Sequence, residues 1–379
     1  MNLIVDENIV FAKEAFSSLG NTQLVDGRKL TNADVKDADI LVVSSITIVN
    51  ENFLKNSKVK FVGTATIGTD HIDLDYLNNQ EITFADANGC NADSVAEYVF
   101  TALLKIASEK NNFLKGKTIG VVGVGNIGSR VVRLAKSLGI KVLRNDPPLQ
   151  RFYKDENFIS LEEILQADII TLHVPLLFES NDKTFHLLNE NNLKRIKRGA
   201  IIINTSRGGV VDNSALLTES ISREFDLVLD VWEDEPRVNP ELLNKTKIAT
   251  PHIAGYSFEG KVNGTKMIYD TLCKFLDVKP SWRPDLPKIQ DKEMRLSEGK
   301  SDEEKLNRLF SSIYDIEKDD KVMRKILTYD PNERAKYFDL LRKKYPGRRE
   351  FNNYSVQISG NDIHLKSFLE NFRFTVEMI

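Results

Sequence analysis

Cysteine is close to absent from this chain of 379 residues: Cys90 and Cys273 are the only two, and they lie far apart. That excludes a disulfide framework and a cysteine zinc site, and it fits a reducing compartment. Long apolar runs are missing too. The opening MNLIVDEN is broken by Asp6 and Glu7, too early for a secretory signal, and no later stretch has the length of a membrane span. A cytoplasmic protein without a membrane partner is expected. Neither sign of charge dominates: 52 Lys and Arg stand against 55 Asp and Glu, a net of −3, with no basic or acidic block. Nucleic acid is therefore a poor partner, and a small anionic ligand must be held by local cations. Histidine is sparse, at five residues. No metal-ligand spacing emerges, so no metal is expected.

What is present is a regular alternation. Leu3–Val5, Ile40–Val43 and Lys60–Thr64 read as buried strands, and Ile9–Leu19 and Ala92–Ser108 as helices, the latter capped by Asn91 or Asp93. From Thr118 the pitch tightens. Apolar runs at Thr118–Val122, Ile140–Leu143, Ile169–Leu172, Ala200–Asn204, Leu227–Val231 and Ile248–Ala249 are separated by amphipathic stretches such as Ile127–Leu138. This rhythm predicts a parallel sheet covered on both faces. Pro280, Pro284 and Pro287 punctuate a linker. Beyond it, Ser301–Glu304 has the form of a helix start, and Tyr354–Ile358 alternates like a half-exposed strand, which predicts a small α+β domain.

One glycine string follows a strand and opens a helix. In GVGNIG, Gly123 permits a tight turn, Gly125 lets backbone approach a pyrophosphate, and Gly128 allows helix and strand to pack closely. The phosphates would meet the helix N-terminus near Asn126 and Ile127. Asp146, at the end of the next strand, is placed to accept bonds from ribose hydroxyls, which favours NAD over NADP; Arg144 is the one nearby feature that argues the other way.

Three further strings end strands of the same predicted sheet. NTSRGG carries Arg207, whose planar guanidinium suits a carboxylate. LDVWEDEP carries Asp230 and Glu235, and TPHIAGYS carries His252, Gly255 and Tyr256. Taken singly, an arginine before Gly-Gly, an acidic loop and a lone histidine are each more often structural than chemical. Taken together and in this order, they resemble the D-isomer-specific 2-hydroxyacid dehydrogenase family. The resemblance implies that His252 is the acid/base, that Glu235 pairs with it and stabilises the imidazolium, and that Arg207 binds the substrate. It also implies that Asp230 faces the nicotinamide carboxamide and that Gly255 lies along the cofactor.

The family implies two Rossmann-like, doubly wound parallel-sheet domains. Here they would be a substrate-binding domain over 1–92 and 256–279 and an NAD-binding domain over 93–255, with the site in the cleft. The strings SSITIVN, TATIGTDHID, GCNADSVAEYV and LRKKYPGRREF resemble one branch of this family that oxidises a phosphorylated four-carbon hydroxy acid on the route to pyridoxal phosphate. That branch implies a C-terminal dimerisation domain over 280–379, a homodimer, and Ser45, Thr66 and Tyr256 at the substrate. Arg348 and Arg349 are candidates to meet its phosphate if the tail of the partner subunit reaches the cleft; a solvated or salt-bridged dimer surface is an equal reading of them. Two rival readings stand beside it: a relative acting on another acid such as 3-phosphoglycerate, and a non-enzymatic NAD sensor like the family's corepressors.

Overall fold

The computed structural model describes residues 1–110 and 114–379. They form two compact units, Met1–Asn91 with Ser257–Lys288, and Ala92–Tyr256 with Ile289–Ile379.

The first unit is built on a five-stranded parallel sheet of β1 (Asn2–Asp6), β2 (Asn21–Val25), β3 (Ile40–Val43), β4 (Phe61–Thr64) and β5 (Thr83–Asp86), in the order β2-β1-β3-β4-β5. Interior strands such as ILVV are buried at every position, as a sheet covered on both faces requires. The helix Phe258–Phe275 returns to this unit and packs closely on it. A Cβ at Gly63 would lie 2.6 Å from Ile268, so glycine sets the distance between helix and β4. The helix expected over Ile9–Leu19 shrinks to Ala12–Phe16, because Phe11 takes a left-handed conformation (φ 58°) and no side chain caps the start.

The second unit carries six parallel strands: β6 (Thr118–Val122), β7 (Lys141–Asn145), β8 (Ile169–Leu172), β9 (Ile201–Asn204), β10 (Asp226–Leu229) and β11 (Ile248–Ala249). Their order is β11-β10-β9-β8-β6-β7, so the winding reverses between β6 and β8. Outside the carboxyl ends of the strands, such a reversal opens a crevice. Among the described residues every sheet pairing is parallel, which makes the fold α/β.

The C-terminal segment of the second unit adds a small parallel sheet, β12 (Glu293–Arg295), β13 (Ser355–Ile358) and β14 (Thr375–Met378), in sequential order. It shares a core with the helix Ala92–Glu109, which is apolar nearly all round and buried along most of its length. Phe310 meets Phe351 and Phe372 with ring centroids 4.7 and 4.9 Å apart, and Phe100 of that helix meets Phe372 at 5.3 Å. Polar bonds seal the seam: Ser94 Oγ donates to Glu350 (2.7 Å), and Arg373 donates to Glu97 (3.1 Å) and Glu350 (2.9 Å). Asn91 does not cap the helix, since its Oδ1 has no partner, and Asp93 pairs with Arg130 instead. Ser301 does cap the helix Asp302–Ile313, accepting from the Glu304 N–H. No described helix is long and apolar enough to cross a membrane.

Candidate active site

Strand β6 runs into Gly123, whose φ of 83° is open to glycine and strained for other residues. The helix Asn126–Ser137 then starts at Gly125 with no side-chain cap, so its first amides are not met by its own N-cap. At Gly128 an added Cβ would lie 1.9 Å from the Gly123 carbonyl oxygen, whereas at Gly125 it would meet nothing within 4 Å. One glycine brings loop and helix together and the other keeps open space above the helix N-terminus. That combination fits a dinucleotide pyrophosphate.

Asp146 ties this loop to the end of β7. Its two carboxylate oxygens accept from the Val124 N–H (2.8 Å) and from the Leu149 N–H (3.0 Å), the latter capping the helix Pro147–Tyr153. Each oxygen has further lone pairs, so ribose hydroxyls can still be accepted there. Arg144 is drawn aside. It donates to Asp155 (3.2 Å), and its guanidinium lies 4.6 Å from the Phe158 ring centroid. The argument for NADP thereby loses its cation.

Arg207, Asp230, Glu235 and His252 all follow strands β9, β10 and β11. Asn204 shapes the first turn by accepting from Ser206 and donating to the Arg207 carbonyl (2.9 Å). A Cβ at Gly208 would lie 1.9 Å from the Trp232 backbone, so this turn and the loop after β10 are in direct contact. Arg207 is half-buried, and its Nη1 donates to the Ser206 carbonyl (2.9 Å).

Asp230 is buried and organises the loop around the histidine. It accepts from Thr250 Oγ1 (2.6 Å) and from the backbone N–H groups of Ile253 (2.7 Å) and Ala254 (2.9 Å), while its carbonyl accepts from the His252 N–H (2.7 Å). These bonds hold His252 in a left-handed conformation (φ 58°) that a non-glycine residue adopts only when its surroundings over-determine it. The ring is thereby presented to Glu235, with Nδ1 2.5 Å from Oε1. Burial pushes the Glu235 carboxyl up, but the His252 partner and the Arg342 charge outweigh it, and the net effect holds Glu235 below the usual carboxylate range. An ionised Glu235 can only accept, which assigns the proton to Nδ1 and leaves Nε2 as the atom that exchanges protons.

Tyr256 lies four residues on, half-buried, and its hydroxyl accepts from Arg342 Nη2 at 3.1 Å. Gly255 is half-buried in the turn before it. Ser45 and Thr66 belong to the first unit. Ser45 is exposed in the turn after β3; Thr66 Oγ1 lies 2.8 Å from Thr64 Oγ1 and donates to the Gly68 carbonyl (3.2 Å). Of the other histidines, His173 is pushed down to about 3 by burial and is neutral, with Nε2 2.9 Å from Thr171 Oγ1.

The tail departs from expectation at its arginines. Arg348, one of two conditional candidates for the phosphate, is buried: Nη2 donates to the carbonyls of Ser94 and Ala254, and its guanidinium sits 4.4 Å from the Tyr314 ring centroid. Its charge supports the loop next to His252. Arg342, which the sequence reading passed over, is the arginine that reaches the Tyr256 hydroxyl. The string LRKKYPGRREF contains it, but nothing in a run of mixed basic residues singles out one of them.

Comparison with known proteins agrees with this geometry. The family model described as D-isomer specific 2-hydroxyacid dehydrogenase, NAD binding domain, matches residues 92–254, and a model described as a domain of unknown function matches residues 286–370. The erythronate-4-phosphate dehydrogenase of Proteus mirabilis is 44% identical over 362 residues, covering 94% of each chain, and that of a Shewanella species is 45% identical over 356 residues, covering 93% of each. Among solved structures, an NAD-bound 3-phosphoglycerate dehydrogenase of Entamoeba histolytica superimposes with a TM-score of 0.61 at 26% identity, over 76% of this chain and 99% of that one. A D-lactate dehydrogenase of Aquifex aeolicus, in complex with NAD and lactic acid, gives 0.57 at 28% identity, over 73% and 96%. Glycine cradle, sheet order, histidine–glutamate pair and end-to-end likeness agree: this chain belongs to the D-isomer specific 2-hydroxyacid dehydrogenase family, in the branch of the erythronate-4-phosphate dehydrogenases.

Proposed function

We propose that this NAD-dependent dehydrogenase oxidises 4-phospho-D-erythronate at C2, giving (R)-3-hydroxy-2-oxo-4-phosphobutanoate, in pyridoxal 5′-phosphate biosynthesis. The observation that carries the substrate is the likeness to the curated relatives over 94% of the chain, tail included. Bound NAD supplies the hydride acceptor. Gly123, Gly125, Asn126, Ile127 and Gly128 would hold its pyrophosphate, Asp146 its ribose, and Asp230 and Gly255 its nicotinamide half.

The remaining chemistry falls to the side chains. Arg207 binds the substrate carboxylate with its planar fork and fixes which face of C2 is presented. As the C2–H bond breaks, His252 Nε2 takes the hydroxyl proton. Glu235 meets the resulting imidazolium at Nδ1, so the positive charge forms beside a fixed negative one. In reduction the same proton returns to the carbonyl oxygen. Ser45, Thr66 and Tyr256 supply hydroxyl donors to the substrate. Residues 1–92 with 256–279 act as the substrate domain and 93–255 as the NAD domain. Residues 280–379 serve a homodimer, and the enzyme works in the cytoplasm.

The test is initial-rate NADH formation with 4-phospho-D-erythronate, 3-phosphoglycerate and D-lactate, with the reduction run alongside because the equilibrium can favour the hydroxy acid. A clear preference for 4-phosphoerythronate is expected, and His252→Ala should cost about 10²- to 10⁴-fold in rate while NADH still binds. Turnover confined to another acid would overturn the substrate. Tight NADH binding without turnover of any of the three would bring the sensor reading forward.

A further inference from the structure

A 2-hydroxy acid that also carries a phosphate has two anionic ends. Arg207 accounts for one. A phosphate monoester holds close to two negative charges near neutral pH, and taking it out of water calls for a second cation. Arg348 already holds two backbone carbonyls and a tyrosine ring, and although its Nε and Nη1 are also without hydrogen-bond partners, its whole side chain is buried.

Arg342 is placed differently. It stands near the end of the helix Pro331–Lys343 in the C-terminal segment, half-buried. Its Nη2 donates to the Tyr256 hydroxyl (3.1 Å), and its guanidinium lies 5.9 Å from that ring's centroid. Its Nε is buried with no hydrogen-bond partner. A guanidinium has five donors, and leaving a buried one unmet is costly. The same charge is felt by Glu235, which it helps to keep ionised against the effect of burial. The group is therefore a cation whose charge reaches Glu235, anchored through the Tyr256 hydroxyl, with a donor to spare.

We propose that Arg342 is a specificity-determining residue, which receives, together with the Tyr256 hydroxyl, the phosphate at the far end of the hydroxy acid. The inference rests on the substrate reading above and deepens it. It also gives the C-terminal segment a part in choosing the substrate: the carboxylate is read from the loop after β9, the phosphate from the tail of the chain. Fixing the distance between these two cations selects acids by length as well as charge.

The test compares 4-phospho-D-erythronate with D-erythronate, which lacks the phosphate, for the wild type, Arg342→Gln and Arg342→Lys, with thermal midpoints confirming that each folds. One to two charge-assisted bonds are at stake, so Arg342→Gln should lower kcat/KM on the phosphorylated acid about 10- to 100-fold, chiefly through KM. Its loss on D-erythronate should be at least tenfold smaller, and Arg342→Lys should recover part of the difference. Equal losses on both acids, or a loss confined to kcat, would show that Arg342 acts through Glu235 and would overturn the proposal. So would an unchanged KM for the phosphorylated acid. A wild type with no preference for the phosphorylated acid would overturn the substrate reading itself, and this inference with it.

Discussion

The contrast between Gly125 and Gly128 separates a glycine kept for the ligand from one kept for the fold. Gly125 has a φ of −71° and a ψ of −146°, and a Cβ there would meet nothing within 4 Å. Gly125→Ala should therefore leave the packing of the fold intact, since no neighbouring atom blocks the methyl. The new methyl would occupy the space through which a pyrophosphate approaches the helix N-terminus. An overpacked contact of that kind costs roughly 1–3 kcal/mol, or about 5- to 150-fold in the Kd for NADH. Gly128→Ala should behave differently. Its Cβ would stand 1.9 Å from a carbonyl oxygen, with Gly123 backbone on one side and helix backbone on the other, so no flexible side chain can yield. Stability and NADH affinity should fall together, the thermal midpoint by about 2–4 °C for each kcal/mol lost. NADH titration followed by fluorescence, with thermal unfolding on the same samples, measures both quantities. If Gly125→Ala bound NADH as the wild type does, the pyrophosphate would not lie over residue 125 and the cradle would be misread.

Two other outcomes are expected. Asp146→Ala removes two backbone bonds and a helix cap, so it should cost about 1 kcal/mol of stability and should narrow the preference for NAD over NADP; an unchanged kcat/KM ratio for the two cofactors would move discrimination elsewhere. Glu97, beneath the C-terminal segment, is pushed up to about 8, first by burial and further by Glu350, with Arg348 and Arg373 opposing. The folded chain therefore holds a proton that the unfolded chain releases above the ordinary 4.5, so stability should fall as pH rises between those values, by roughly 1 kcal/mol per pH unit. Glu97→Gln should flatten that slope, and urea unfolding at pH 5, 6.5 and 8.5 would expose a variant that still parallels the wild type.

Buried interior strands were the legible part of the fold. ILVV at β3 and the apolar runs at β6, β8 and β9 stand out because both faces are covered, and between their ends only the buried Thr171 interrupts them. The strands that escaped the pattern are edges. NTQLV at β2 and TVEM at β14 are exposed at most positions, TFAD at β5 is buried only at Ala85, and none shows an apolar run or a clean alternation. The pairing of Glu235 with His252 was legible only through the family resemblance, since an acidic loop and a lone histidine taken singly read as structural; the two side chains do meet. What could not be read was which arginine of the tail does what. Arg342 and Arg348 differ only in the partners that folding delivers, a tyrosine hydroxyl for one and two carbonyls for the other. Those partners lie 86 to 254 residues away in the chain, beyond the reach of any local pattern.

The shared core of the helix Ala92–Glu109 also has a consequence for biosynthesis. Its outer face is completed by residues synthesised long after it, since Ser94 and Glu97 bond to Glu350 and Phe351. At ordinary translation rates the segment Ile289–Ile379, about 90 residues, takes roughly 5–20 s to appear. For that interval the nascent chain carries a finished nucleotide-type sheet beside an uncovered apolar helix. Chaperone protection should be needed most in those seconds, and a message truncated before the tail should yield protein that aggregates instead of a smaller working enzyme.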